Sequence, residues 1–133
     1  MSNLRVDVLA RKYLETLGAG QIRACLSLFA EEAVLIFPAS ITGARSLGKQ
    51  EFGAMLENAP NVFESWPIYT LTHQTTEGDR SCIEFVGSGR MKNGAAFENQ
   101  YCIVFVADAG VIVEMREYLD TSALLAAAKP ATS

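Results

Sequence analysis

The sequence predicts an α+β fold, with helices from the first part of the chain laid on one face of a long antiparallel sheet. Three observations predict it. Apolar residues recur at helical spacing before Pro60, in three separate stretches. Four long β-type runs then follow, over residues 65–76, 80–91, 97–106 and 111–119. The breaks between them are short: Glu77-Gly78-Asp79, Lys92-Asn93-Gly94 and Asp108-Ala109-Gly110. Asn-Gly is a strong hairpin signal because both residues tolerate positive φ, and short turns force antiparallel neighbours. Helices first and a meander afterwards is the order of an α+β layer fold.

The elements follow in order. A first helix over residues 3–17 places Val6, Leu9, Tyr13 and Leu17 on one stripe, with Arg5, Asp7, Lys12 and Glu15 off it. Gly18-Ala19-Gly20 stops it. A second helix buries Ile22, Cys25, Leu26 and Phe29. Glu31-Glu32 is polar punctuation, and Ala33 to Phe37 reads as a short buried strand ended by Pro38. Residues 39–47, rich in Ser, Thr and Gly, read as loop. A third helix starts near Gly48, turns Phe52, Met55 and Leu56 inward, and closes at Asn58-Ala59-Pro60-Asn61. After the four strands a last helix spans 122–128, and residues 129–133 form a loose tail. There is no internal repeat, so residues 1–128 are expected to form one domain.

Composition narrows the function classes. The chain has 133 residues, half of them hydrophobic, enough for one sizeable core. The net charge is −4 with no basic run, which argues against nucleic acid as a partner. No apolar run approaches the ~18 residues that span a bilayer. The start, Met1-Ser2-Asn3-Leu4-Arg5, lacks a signal-peptide layout, so a cytoplasmic protein is expected. The cysteines Cys25, Cys82 and Cys102 are odd in number, form no C-x-x-C pair and sit in apolar surroundings; they read as reduced core thiols. His73 is the only histidine, so no metal site of nitrogen and sulfur ligands is expected.

The functional signal lies in the last two strands, which carry polar side chains where a plain sheet would be apolar. Asn99 and Tyr101 share one face of their strand, because side chains alternate with period two. Arg116 and Glu117 lie on opposite faces. A sheet that curls over the helices can hold such groups inside, where a small molecule meets them. Along 97–106 both faces are apolar, Phe97, Ile103 and Phe105 on one and Cys102, Val104 and Val106 on the other. The helices cover one face, and a second subunit is the expected cover for the other, giving a homodimer through the outer sheet face. Asp120 precedes Thr121-Ser122 and the last helix, which is a helix N-cap position.

The chain resembles the nuclear transport factor 2-like superfamily, in its SnoaL-like and ketosteroid-isomerase-like branch. The resemblance rests on Lys12-Tyr13-Leu14-Glu15, on Gly18-Ala19-Gly20-Gln21-Ile22 and on Ala30-Glu31-Glu32-Ala33-Val34. Gly48-Lys49 and the closing Gly110-Val111-Ile112 to Glu117-Tyr118-Leu119-Asp120 complete it. It implies a cone-shaped, curved antiparallel sheet packed on three N-terminal helices, a cystatin-like α+β barrel roll, with an apolar pocket and usually a homodimer. The fold hosts isomerases, cyclases, hydrolases, dehydratases and non-catalytic binders, so it does not name an activity.

Several roles follow from the resemblance. Ketosteroid isomerases use a carboxylate base and two oxyanion donors, a Tyr and a protonated acid. Tyr13 aligns with the donor Tyr, Tyr101 stands near the acid donor, and Phe37 occupies the base position, so that mechanism does not fit. Asp120 aligns with an acid–base Asp of limonene-epoxide-hydrolase-like and SnoaL-like relatives; the alternative is the helix cap. Glu84 and Arg90 share a face but not the spacing that a hydrolase triad needs. Glu117 is expected inside the cone beside Met115 and Leu119, with a raised pKa; the alternative is an ion pair with Arg90. Tyr13, Tyr101, Glu117 and Asp120 are thus the candidate catalytic groups. Phe37, Phe52, Met55, Trp66, Asn99, Met115 and Leu119 are the candidate ligand-binding wall, with Trp66 able to stand at the entrance. His73, among threonines, reads as a solvated or hydrogen-bonded strand residue. The expected activity is cofactor-independent acid–base chemistry on a small hydrophobic molecule. A non-catalytic ligand-binding protein and a dimeric interaction domain are the alternatives.

Overall fold

The computed structural model describes residues 4–38 and 45–128. The helix start at Asn3, the loop over residues 39–44 and the tail from Lys129 lie outside them. Helix α1 (Val6–Gly18) is followed by α2 (Ile22–Leu26) and strand β1 (Phe29–Phe37). Strand β2 (Arg45–Leu47) leads into α3 (Lys49–Glu57) and a single 3-10 turn at Ala59–Asn61. Strands β3 (Ile68–Glu77), β4 (Arg80–Arg90), β5 (Ala96–Asp108) and β6 (Val111–Leu119) form the meander, and α4 (Thr121–Ala128) ends it.

The six strands make one curved, open sheet in the order β2-β1-β6-β5-β4-β3. The meander pairs antiparallel as expected, from Arg80↔Val106 to Arg90↔Ala96 between β4 and β5 and from Tyr101↔Leu119 to Asp108↔Val111 between β5 and β6. The sheet is nevertheless mixed, which corrects the all-antiparallel expectation. β1 runs parallel to β6, with Val34 opposite Glu114 and Leu35 opposite Met115. Between the two in the chain come β2, α3 and strands β3 to β5, the long connection that a parallel pair needs.

Helix α1 lies across the inner face of the sheet, against β3 to β6. Its stripe of Val6, Leu9, Tyr13 and Leu17 is buried against Ile83 and Phe85 of β4, Ile103 and Phe105 of β5, and Ile112 and Met115 of β6. Each such side chain contributes about 1.5–3 kcal/mol when fully buried. Aromatic contacts organise the centre: the Tyr13 ring is 5.1 Å from Phe105 and 5.9 Å from Phe29, and Phe29 is 5.8 Å from Phe52. Lys49 at the start of α3 fastens that helix to β1, donating to the Phe29 carbonyl at 3.0 Å and pairing with Glu31 at 3.1 Å.

Three local expectations change. Phe29 opens β1 rather than closing α2, because the second helix ends after a single turn at Leu26. Glu31 and Glu32 lie within β1, exposed at a register shift, so they do not separate two elements. Arg45–Leu47, read as loop, adds an edge strand to β1 through Leu35↔Leu47. The cysteines also divide. Cys25 is a core thiol, whereas Cys82 and Cys102 are half-buried on the outer face with their sulfurs 3.2 Å apart.

Candidate functional site

A cleft of about 250 Å³ opens between the inner face of the sheet and helices α1 and α3. Tyr13, Phe52, Met55, Trp66, Tyr101 and Glu117 line it, six of the residues that the sequence singled out. Period-two alternation brings Tyr101 and Glu117 to the same face: Glu117 is paired with Ile103 across β5 and β6, one step from Tyr101↔Leu119. The 3.6-residue period of α1 turns Tyr13 down onto them.

Glu117 has no hydrogen-bond or ion-pair partner among the described residues. Arg90, its expected partner, instead faces Glu64 at 3.8 Å and donates to the Gly94 carbonyl at 2.9 Å. Loss of water around the carboxylate, with nothing to replace it, pushes the Glu117 pKa up to about 7. Tyr13, Tyr69 and Tyr101 surround it. Burial raises all three phenol pKa values, and the nearby Glu117 charge adds to each. The site therefore holds a carboxyl that exchanges its proton near neutrality and three phenols that stay protonated.

Tyr69 and Phe63 also line the cleft and were missed in the sequence. The Tyr69 ring is 6.2 Å from Tyr101 and 5.7 Å from Phe85, while Tyr101 stacks on Phe85 at 4.8 Å. The space for this cluster comes from Gly87 on β4: a Cβ there would stand 2.9 Å from Tyr69 and 3.1 Å from Tyr101. A glycine inside a strand marks such a close approach, and that was the available signal. Trp66 is pinned at the rim, its indole N–H donating to the Leu17 carbonyl.

The other expected site residues lie elsewhere. Phe37 is buried behind the wall, its ring 6.2 Å from Phe52, and Met115 is fully buried in the core. Leu119 is half-buried and outside the cleft lining. Asn99 is 2% exposed; its Oδ1 accepts from the Gln100 amide at 2.8 Å and the Asp120 amide at 3.1 Å. Asp120 is exposed, and its carboxylate accepts from the amides of Ser122 at 2.9 Å and Ala123 at 3.3 Å, the geometry of a cap on α4. His73 is exposed on β3. Among the described residues no cluster of three His, Cys, Asp or Glu could hold a metal, and no helix is long and apolar enough to cross a membrane.

A helix-on-curved-sheet fold with a cleft between the layers defines the ketosteroid-isomerase-like class of α+β proteins. Residues 10–115 match the SnoaL-like domain, and the chain belongs to that family. No curated protein matches it significantly. Among solved structures, it is similar to wild-type IdmH from Streptomyces antibioticus, a candidate polyketide cyclase, with 18% identity over 92% of this chain and 97% of that one and a TM-score of 0.79. A candidate polyketide cyclase from Pseudomonas putida KT2440 gives 19% identity, 93% and 98% coverage and a TM-score of 0.77. A nuclear transport factor 2-like protein from Burkholderia pseudomallei gives 16% identity, 97% and 100% coverage and a TM-score of 0.81. At these identities the likeness is one of fold.

Proposed function

We propose that the protein is an acid–base enzyme of the cyclase or isomerase type, working without a cofactor on a small hydrophobic molecule held in the cleft. The observation that carries this reading is Glu117: a carboxyl that lines the cleft among aromatic side chains, unpartnered among the described residues, where loss of water pushes its pKa up to about 7. A group poised at ambient pH is populated in both forms, so it can take a proton from a carbon beside a carbonyl and return it elsewhere. Tyr13, Tyr69 and Tyr101 supply hydroxyl donors where an enolate oxygen would develop charge. Isomerisation and ring closure both need this pair of functions. The candidate cyclases among its structural neighbours are consistent with that class. The cleft is smaller than the ~300–1,000 Å³ of common ligand sites, which favours a compact substrate. A homodimer through the outer sheet face belongs to the same reading: Val34 and Tyr118 are 43% and 45% exposed there in a single chain.

The test needs no knowledge of the natural substrate. 5-Nitrobenzisoxazole opens when a base removes its ring C–H proton as the N–O bond breaks, giving a coloured phenolate. The wild-type protein should accelerate this reaction with a sigmoidal pH profile centred near 7, and Glu117→Gln should lose about tenfold or more of the rate. Equal rates for the two proteins would remove Glu117 as the base.

A further inference from the structure

We infer that the cleft takes a small organic cation, an alkylammonium group whose charge sits between the Glu117 carboxylate and the aromatic walls. This rests on the proposed placement of a ligand in the cleft and specifies the chemistry of that ligand. The first ground is a charge imbalance. Among the described residues Glu117 has no partner, and no Lys, Arg or His lines the cleft. A buried carboxylate is ordinarily matched by a cation or by several donors. Among the described residues none pairs with or donates to it, so the counter-charge is left to the ligand.

The second ground is the wall. Tyr13 from α1, Phe52 from α3, Phe63 and Trp66 from the segment before β3, Tyr69 from β3 and Tyr101 from β5 bring six aromatic side chains to the lining of the cleft that holds Glu117. Ring faces carry negative electrostatic potential and attract a weakly hydrated cation, most strongly when water is excluded. The Trp66 N–H is occupied by Leu17, so the indole enters the cleft as a ring and not as a donor. An anionic ligand would meet the same potential as a repulsion.

The titratable groups facing Glu117 are Tyr13, Tyr69 and Tyr101, all held protonated by burial across the neutral range. A proton and the cation therefore compete for Glu117 alone, and affinity should rise with pH through about 7.

The experiment is a calorimetric titration with choline and with 3,3-dimethylbutan-1-ol, which has the same shape without the charge. Near pH 8.5 choline should bind about tenfold or more tighter than the alcohol, and it should weaken by about tenfold or more near pH 5.5. Glu117→Gln should erase the difference between the two probes. Equal binding of both by the wild-type protein would overturn the cation assignment while leaving a ligand-binding cleft. Binding of neither would remove the cleft reading and the inference together. The wild-type comparison decides the matter even if the variant does not fold.

Discussion

Asn99 holds Asp120 in place: its Oδ1 accepts the Asp120 amide at 3.1 Å and, one residue from its own backbone, the Gln100 amide at 2.8 Å. The Asp120 amide is shared between that oxygen and the Gln100 carbonyl, also at 3.1 Å, so side chain and backbone of β5 together fix where the last helix begins. Asn99→Ala removes that acceptor from a position only 2% exposed. The Asp120 amide keeps its second acceptor, the Gln100 carbonyl at 3.1 Å, and the substitution also removes the buried Asn99 Nδ2, which has no partner among the described residues. The expected loss is therefore about 1 kcal/mol of stability, read as a lower urea midpoint with an unchanged slope.

Asp120 separates capping from catalysis. Its carboxylate closes the first turn of α4 and stands outside the cleft lining. Asp120→Ala should lower stability by about 1 kcal/mol in thermal unfolding and leave the pH profile of benzisoxazole opening where it was. A rate loss as large as that of Glu117→Gln would instead place Asp120 in the chemistry.

Glu117 makes stability depend on pH in an unusual direction for a carboxyl. Its folded pKa of about 7 lies above its ordinary 4.5. Between those values the folded chain keeps a proton that the unfolded chain releases. The stabilising effect of that proton is complete below about 4.5 and is lost as pH rises to about 7, reaching at most about 3 kcal/mol. Glu117→Gln should therefore raise stability by about 2–3 kcal/mol near pH 8 and leave it unchanged near pH 4, as measured by urea unfolding at the two pH values.

The β5–β6 turn carries strain. Ala109 has φ +52° and Gly110 φ +80°, the two left-handed positions of a tight hairpin turn. Alanine at the first of them costs about 1 kcal/mol relative to glycine. Ala109→Gly should raise the melting temperature by a few degrees without touching the cleft.

How much of this was readable depended on range. β6 was legible to the residue, because Gly110 ends the turn before it and alternation runs from Val111 through Leu119. Tyr13 and Glu117 were legible as inward residues from periods of 3.6 and 2. The parallel pairing of β1 with β6 was not, since it joins residues some eighty apart and leaves no local mark. Arg45–Leu47 was hidden by its polar, three-residue length. Phe29 sits at helical spacing from Cys25 and Leu26, so the pattern could not show that the helix stops first. Tyr69 was obscured by the polar run around it; its place depends on Gly87, which lies opposite it across the β3–β4 ladder. Asn99 was recognised as an inward polar group, but only coordinates show its oxygen spent on backbone amides.

Everything proposed for the cleft depends on a Glu117 carboxyl that exchanges its proton near neutral pH. A carbon-13 NMR titration of selectively labelled glutamate carboxyls, with Glu117→Gln to assign the signal, measures this directly. The Glu117 signal should show a midpoint near 7, moving downward when choline is added. A midpoint near the ordinary 4.5, unmoved by choline, would contradict it.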